Sequence, residues 1–179
     1  GAALIALHEL DVGDCFGPCQ RDGACADGAS REAVAYVGGA LERSMRRAAR
    51  GGYVTEAELA TVQAALVLLP TFEGERAVPC HRDYGAANWL VGPNDAWAGV
   101  IDFEFAHWDV RVTDFSRDPD WAWVLRRDLM DAFWEGYGRA LIPAEEQQLL
   151  ITRTAYALDA VVWGRDHAYY GFEREGRVA

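Results

Sequence analysis

His81-Arg82-Asp83-Tyr84-Gly85-Ala86-Ala87-Asn88, followed by Val100-Ile101-Asp102-Phe103-Glu104, is the stretch that decides how this chain folds. Ala77-Val78-Pro79-Cys80 leads into it as a short extended segment. Trp89-Leu90-Val91 and Ala98-Gly99-Val100-Ile101 are two short apolar runs around Gly92-Pro93-Asn94-Asp95, which reads as a β-hairpin. Gly85 lets the loop turn between Asp83 and Asn88. The hairpin then returns the chain, so Asp102 at the end of its second strand faces the same cleft as Asp83 and Asn88.

That constellation suits phosphoryl transfer. The transition state for transfer from ATP is largely dissociative, and catalysis is mostly positioning and charge neutralisation. A carboxylate must orient the acceptor hydroxyl and take its proton. Oxygen ligands must hold Mg²⁺. An Asp and an Asn on one loop, joined by an Asp at hairpin distance, supply both. Read structurally instead, Asp83 and Asn88 would cap a turn and Asp102 a helix; the flanking strands favour the chemical reading. A metal-dependent hydrolase built on His81, Asp83 and Asp102 would need more His or carboxylate ligands than the segment offers.

The pattern His-Arg-Asp-x-x-x-x-Asn with a strand-ending Asp-Phe resembles the aminoglycoside phosphotransferase and choline kinase-like families, small-molecule relatives of the protein kinases. The resemblance runs through essentially the whole chain and is to the family's C-terminal lobe. It implies that Asp83 is the catalytic carboxylate and that Asn88 and Asp102 ligate Mg²⁺. It implies that Leu90 and Ile101 form an apolar floor under the adenine, and that His81 braces the loop. Asp114 matches the family's helix-opening Asp, one residue later than usual, and Asp109 stays unassigned. ATP and Mg²⁺ are the implied cofactors. An antibiotic of the aminoglycoside type, hence antibiotic resistance, or a related metabolite is the implied acceptor class. Arg82 stands where these families usually have Gly. Glu104 replaces the Gly of a protein kinase's Asp-Phe-Gly, and no long activation segment follows, which favours a small-molecule substrate.

Other parts of such an enzyme are expected elsewhere. All seventeen basic residues are Arg, and no Gly-x-Gly-x-x-Gly occurs. A phosphate-holding Lys and a Gly-rich loop would therefore belong to an N-terminal lobe absent from this sequence. The start at Gly1 also reads as a processed or truncated product, or an excerpt. On its own such a lobe is expected to be nearly inactive. The alternative is a non-catalytic remnant that binds a small molecule or a partner. The face a small lobe would cover could drive homodimerisation.

Outward from the hairpin, the chain reads as α+β, mostly helical, one domain over residues 1–179. Residues 2–9 read as the end of a helix. Ser30 is expected to cap a helix to about Arg50, with Val34, Val37, Leu41 and Met45 on one face and Gly51-Gly52 at its end. Thr55 and Glu58 form a capping box for a helix through Leu69, stopped by Pro70. Apolar spacing near 114–124, 127–140 and 144–171 predicts further helices.

Net charge is −11. That disfavours nucleic acid and suits a cationic small molecule. No run is long enough to cross a membrane and no secretory leader is seen, so a cytoplasmic location is expected. Cys15, Cys19, Cys25 and Cys80 are then expected as thiols, with a labile disulfide in the Cys15–Cys25 loop if oxidised and a metal site disfavoured. Asp159, Trp163 and Asp166 share a face of the last helix, beside Tyr156 and Tyr170, and could bind a cationic acceptor; core packing and a solvated acidic face are the plainer reading. Asp118, Asp120 and Glu135 rank no higher, and His107 and His167 stay unassigned.

Overall fold

A 24-residue helix is the spine of the protein, and the other elements are arranged about it. The computed structural model describes residues 1–20, 22–117 and 126–178. Among these, the helices are α1 Ala2–His8, α2 Ala33–Gly51, α3 Glu56–Ala65, α4 Arg127–Tyr137, α5 Pro143–Asp166 and α6 Tyr170–Val178. The strands are β1 Gly17–Pro18, β2 Val78–Cys80, β3 Trp89–Val91, β4 Trp97–Val100 and β5 His107–Asp109.

The spine α5 buries Leu149, Ile151, Leu158, Ala160 and Val162 on several sides. A helix apolar on several sides belongs inside. It packs on α2, α6 and the 3₁₀ turns at Leu66–Phe72. The core continues through Leu4, Leu41, Phe72, Val110, Val112, Phe115 and Tyr137. Mostly helical with two small antiparallel sheets, the architecture is the one the sequence predicts.

The predicted hairpin is present: β3 and β4 pair antiparallel, Trp89 opposite Val100 and Leu90 opposite Gly99. A second sheet has the order β1-β5-β2, all antiparallel. It holds the loop entering the hairpin, because Cys80 of β2 pairs with His107 of β5.

Five local expectations are corrected. Ser30 is not the cap of α2. Glu32 occupies that position, and the Ser30 hydroxyl instead bonds the backbone of Glu32. The Ser30 carbonyl is held by the Phe16 N–H, which keeps the residue in a bridge and out of the helix. The Thr55–Glu58 capping box forms as expected. Its helix, however, turns to 3₁₀ at Leu66 and runs past Pro70 to Phe72. Pro lacks the N–H that α geometry needs, while tighter turns tolerate it.

The predicted helix over 144–171 is two helices. Ala168 has a left-handed backbone (φ 54°), and α6 folds back against α5. Apolar spacing continues through the break, so periodicity alone could not reveal it. The segment expected near 114–124 begins as 3₁₀ turns over Arg111–Phe115, and its remainder falls largely outside the described residues.

Cys15 and Cys25 form a disulfide, so the thiol expectation fails for these two. Cys19 is free and exposed, and Cys80 is free and buried. No helix among the described residues is long and apolar enough to cross a membrane. The disulfide closes a loop of sequence separation 10 beside β1. Its reduction should lower stability by about 2–3 kcal/mol, on the entropy of closing a loop of that size. Thermal melts with and without reductant would show it, with Cys15→Ser/Cys25→Ser insensitive to reductant.

Candidate active site

The loop after β2 is anchored from below by one buried carboxylate. Asp114 accepts the backbone N–H of His81 at 2.9 Å and that of Arg82. It also meets His8 Nε2 at 3.0 Å. His8 Nδ1 lies 2.8 Å from the Tyr137 hydroxyl, which accepts from Arg111 at 3.1 Å. One proton arrangement satisfies every atom: Arg111 donates to Tyr137, Tyr137 donates to Nδ1, and neutral His8 donates from Nε2 to Asp114. Asp114 thus fixes where the loop leaves the sheet.

Arg82 has a left-handed backbone, φ 66°. That explains why a Gly suits the position. A non-Gly residue there costs about 1–2 kcal/mol. The guanidinium offsets this through its bond to buried Asp109, Nε to Oδ2 3.2 Å.

His81 lies inside the loop, and both ring nitrogens are engaged. Nδ1 accepts the Asp83 N–H at 3.2 Å, and Nε2 donates to the Ile101 carbonyl at 2.9 Å. The neutral Nε2–H tautomer fits both bonds. His81 therefore ties the Asp83 loop to the end of β4, and neither nitrogen remains for a metal. Asn88 Nδ2 donates to the Asp83 carbonyl at 2.8 Å and to Asp83 Oδ2 at 3.0 Å. The Asn88 carbonyl accepts the Ile101 N–H at 3.0 Å, across the base of the hairpin.

These bonds bring Asp83, Asn88 and the residue preceding Asp102 to one rim. Asp102 follows with a left-handed backbone (φ 67°) and an exposed side chain. Left-handed aspartate is uncommon and persists where neighbours over-determine it. The bonds from Nδ2 orient the Asn88 amide and leave Oδ1 as its remaining oxygen. That oxygen and the Asp102 carboxylate are both of the donor type a hard divalent cation such as Mg²⁺ takes.

Leu90 and Ile101 lie on one side of the hairpin, opposite Gly99 and Asn88 respectively. They are 43% and 45% exposed. An apolar surface left open there is compatible with a flat ring resting on it.

Several residues of the site escaped the sequence reading. Arg117 pairs with Asp83. Asp109, 2% exposed, accepts from Arg82, Tyr36, Thr113 and the Val110 N–H. Burial pushes its pKa up, against the pull of the Arg82 charge and those hydrogen bonds. His107 accepts from Arg82 at 2.7 Å, and burial together with that charge pulls its pKa from 6.5 down to about 4. The signal for Asp109 lay in its strand, with Arg111 and Thr113 following. Nothing in the local sequence tied it to Arg82, which lies across the sheet.

Beside Asp83's partner Arg117, a cavity of about 130 Å³ opens between α2, α5 and the 3₁₀ turns. Its walls include Tyr36, Arg82, Asp109, Arg117, Tyr156 and Asp159. Of the three acceptor candidates on α5, Asp159 lines it; the Ser44 hydroxyl donates to its carboxylate. Trp163 instead stacks on His167 and meets Tyr169 and Phe172, in the α5–α6 contact. Asp166 accepts from Arg47 at 2.9 Å and Tyr53 at 2.7 Å, tying α5 to α2. The Tyr53 hydroxyl and Arg47 hold its carboxyl below the usual range. Asp118 and Asp120 lie outside the described residues.

Residues 1–157 match the model of the phosphotransferase enzyme family, and the chain belongs to that family. Its structure is similar to that of a type I macrolide 2'-phosphotransferase, at 16% identity and a TM-score of 0.60, over 99% of this chain and 56% of that one. It is also similar to a protein from Thermobifida fusca YX-ER1 assigned as a candidate fructosamine-3-kinase, at 17% identity and a TM-score of 0.59, over 99% of this chain and 66% of that one. At such identities the likeness is one of fold: the C-terminal, kinase-like portion of these structures. The chain spans less than two thirds of the length of either. No curated protein matches it.

Two outcomes test the frame. Asp114→Ala strands the His81 and Arg82 N–H groups and His8 in the interior. It should destabilise by about 3–5 kcal/mol, read as the shift in urea midpoint. His107 sets a pH dependence of defined sign. Its folded pKa, about 4, lies below the ordinary 6.5, so between these values the unfolded chain binds more protons. Stability should fall as pH drops from about 6.5 to about 4, and His107→Asn should flatten that slope.

Proposed function

We propose that the protein transfers the γ-phosphoryl group of ATP to a hydroxyl of a small molecule. The observation that carries this reading is the hydrogen-bonded frame joining Asp83, Asn88 and Ile101, with Asp102 next in line. Asn88 and Asp102 would hold Mg²⁺, which would supply neutralisation of charge on the phosphates. Asp83 orients the acceptor hydroxyl and takes its proton. A bond forms between that oxygen and the γ-phosphorus, the bond to the bridging oxygen breaks, and ADP leaves. Leu90 and Ile101 lie under the adenine. His81 and Asp114 act through the loop they brace and touch no substrate.

The acceptor lies in the cavity lined by Arg117 and Asp159. It is an antibiotic or, more in keeping with the cavity's size, a related metabolite. The all-arginine basic set supports a further point: a lysine gripping the phosphates lies outside these 179 residues, which alone turn over slowly. Trp163 and Asp166 act in helix docking. Electrostatic preorganisation, and not covalent chemistry, then supplies the rate.

Asp83→Asn in the full-length enzyme keeps one oxygen to accept from Asn88 Nδ2, gives up the exposed Arg117 pair and removes the base. Phosphorylation, followed as ADP release dependent on acceptor, should fall by about 10²–10⁴-fold with an unchanged melting temperature. An Asp83→Asn enzyme as fast as the parent would overturn the proposal.

A further inference from the structure

Three cysteines share one short loop, and no step of the proposed reaction uses them. Cys15 is bonded to Cys25, while Cys19 is free and exposed. The chain turns back on itself between Cys19 and Cys25. Asp22 Oδ1 accepts the Ala24 N–H at 3.0 Å, Gly23 has a left-handed backbone (φ 79°), and the Gln20 N–H donates to the Ala24 carbonyl at 3.2 Å. This turn sets Cys19 and Cys25 opposite each other in an antiparallel bridge. Residues so opposed have Cα atoms about 4.5–5.5 Å apart and side chains on the same face. A disulfide needs Cα atoms about 4.4–6.8 Å apart. Cys15 meets that need at 5.9 Å from Cys25, and Cys19 meets it from across the turn. Cys25 thus has two partners within bonding reach and is joined to one of them.

The two pairings hold different things. Cys15 is buried beside Phe16, whose ring stacks on Tyr36 with centroids 5.5 Å apart. Tyr36 in turn donates to Asp109. The bond to Cys25 therefore fastens the buried end of the loop, where β1 begins. β1 pairs with β5, and β5 with β2, the strand that leads into the Asp83 loop. Trp108 of β5 also donates from Nε1 to the Gly23 carbonyl at 3.0 Å. A Cys19–Cys25 bond would close only the exposed tip of the loop and leave Cys15 unfastened. Closing either loop costs nearly the same chain entropy, since that cost grows with the logarithm of length. Packing at the Cys15 end decides the balance, and it favours the bond present.

We infer that Cys15, Cys19 and Cys25 form a thiol–disulfide exchange site, in which the bond passes from Cys15–Cys25 to Cys19–Cys25 and so releases the strand that supports the Asp83 loop. The Cys19 thiolate attacks Cys25 Sγ, and a Cys19–Cys25 bond forms. The Cys15–Cys25 bond breaks, and Cys15 leaves as a thiolate that takes up the proton Cys19 gave up. One disulfide and one thiol are present before and after, so no oxidant or reductant is consumed. Burial raises the Cys19 thiol above its ordinary range, against a hydrogen bond from the Trp108 backbone. That keeps the attacking thiolate scarce and the exchange slow. Exchange requires nothing of the phosphotransferase reading.

Peptide mapping of the unmutated full-length protein tests this with no variant that must fold. The protein is held in mildly alkaline buffer without added thiol or oxidant, quenched in acid and digested with pepsin. Within hours, the time scale of uncatalysed rearrangement, a Cys19–Cys25 peptide should appear as Cys15–Cys25 falls. Its rate should not depend on protein concentration, and iodoacetamide added at the end should label Cys15. In Cys19→Ser, iodoacetamide should leave Cys15 unlabelled. Absence of the Cys19–Cys25 peptide, a rate that rises with protein concentration, or equal labelling of Cys15 in Cys19→Ser would overturn the exchange. Amide hydrogen exchange reads the support of the loop. Cys15→Ala keeps the core apolar and, once oxidised, carries only the Cys19–Cys25 bond. Its β2 and β5 amides should exchange about tenfold faster than those of Cys19→Ser, which keeps the present bond. Equal protection in the two variants would overturn the release of the strand.

Discussion

The carboxylate of Asp114 is the fixed point of this structure. It receives the backbone of His81 and Arg82 and the ring of His8, so α1, β2 and the turn after β5 meet at one buried group. A buried carboxylate is tolerable only when its oxygens are filled. Here that requirement positions the loop. Once His81 is placed, its two nitrogens place Asp83 and the end of β4. Asn88 then joins the two from the other side. A hierarchy of hydrogen bonds thus runs from the core to Asp83 at the rim, with Asp102 exposed next to Ile101.

A second network, centred on Asp109, works alongside the first. Arg82 adopts an unfavourable backbone and uses its side chain to satisfy a carboxylate buried under the sheet. Tyr36 of α2 bonds the same carboxylate, so the helix that walls the cavity is registered to the Asp83 loop. Loop and cavity are therefore coupled. On the proposed function, a substrate held by α5 and α2 would be presented to Asp83 by contacts that also define the loop's shape. Arg117 belongs to both, as partner of Asp83 and as wall of the cavity.

Much of this was legible in the sequence. The hairpin announced itself by two apolar runs around a turn, and the loop by an Asp and an Asn at fixed spacing. Both follow from local rules, and both are present. What was hidden depends on distant pairing. Asp109 and Arg82 lie 27 positions apart and meet only because β2 and β5 pair. Trp163 and Asp166 shared a helical face with Asp159, yet that face diverges: Asp159 turns to the cavity while the next turn docks on α6 and α2. The break at Ala168 was invisible because apolar spacing passes through it. Arg82 could be seen to depart from a family pattern. Its reason, a left-handed backbone offset by an ion pair, could come only from the structure.

The central claim is that Asn88 and Asp102 form a cation site beside Asp83. Paramagnetic broadening by Mn²⁺–ATP tests it most directly, since Mn²⁺ accepts the same oxygen ligands as Mg²⁺. In a resonance-assigned sample, the amide signals of residues 83–88 and 101–104 should broaden first, and excess Mg²⁺ should restore them. Broadening centred instead on exposed acids elsewhere, with residues 83–88 and 101–104 unaffected, would contradict the account.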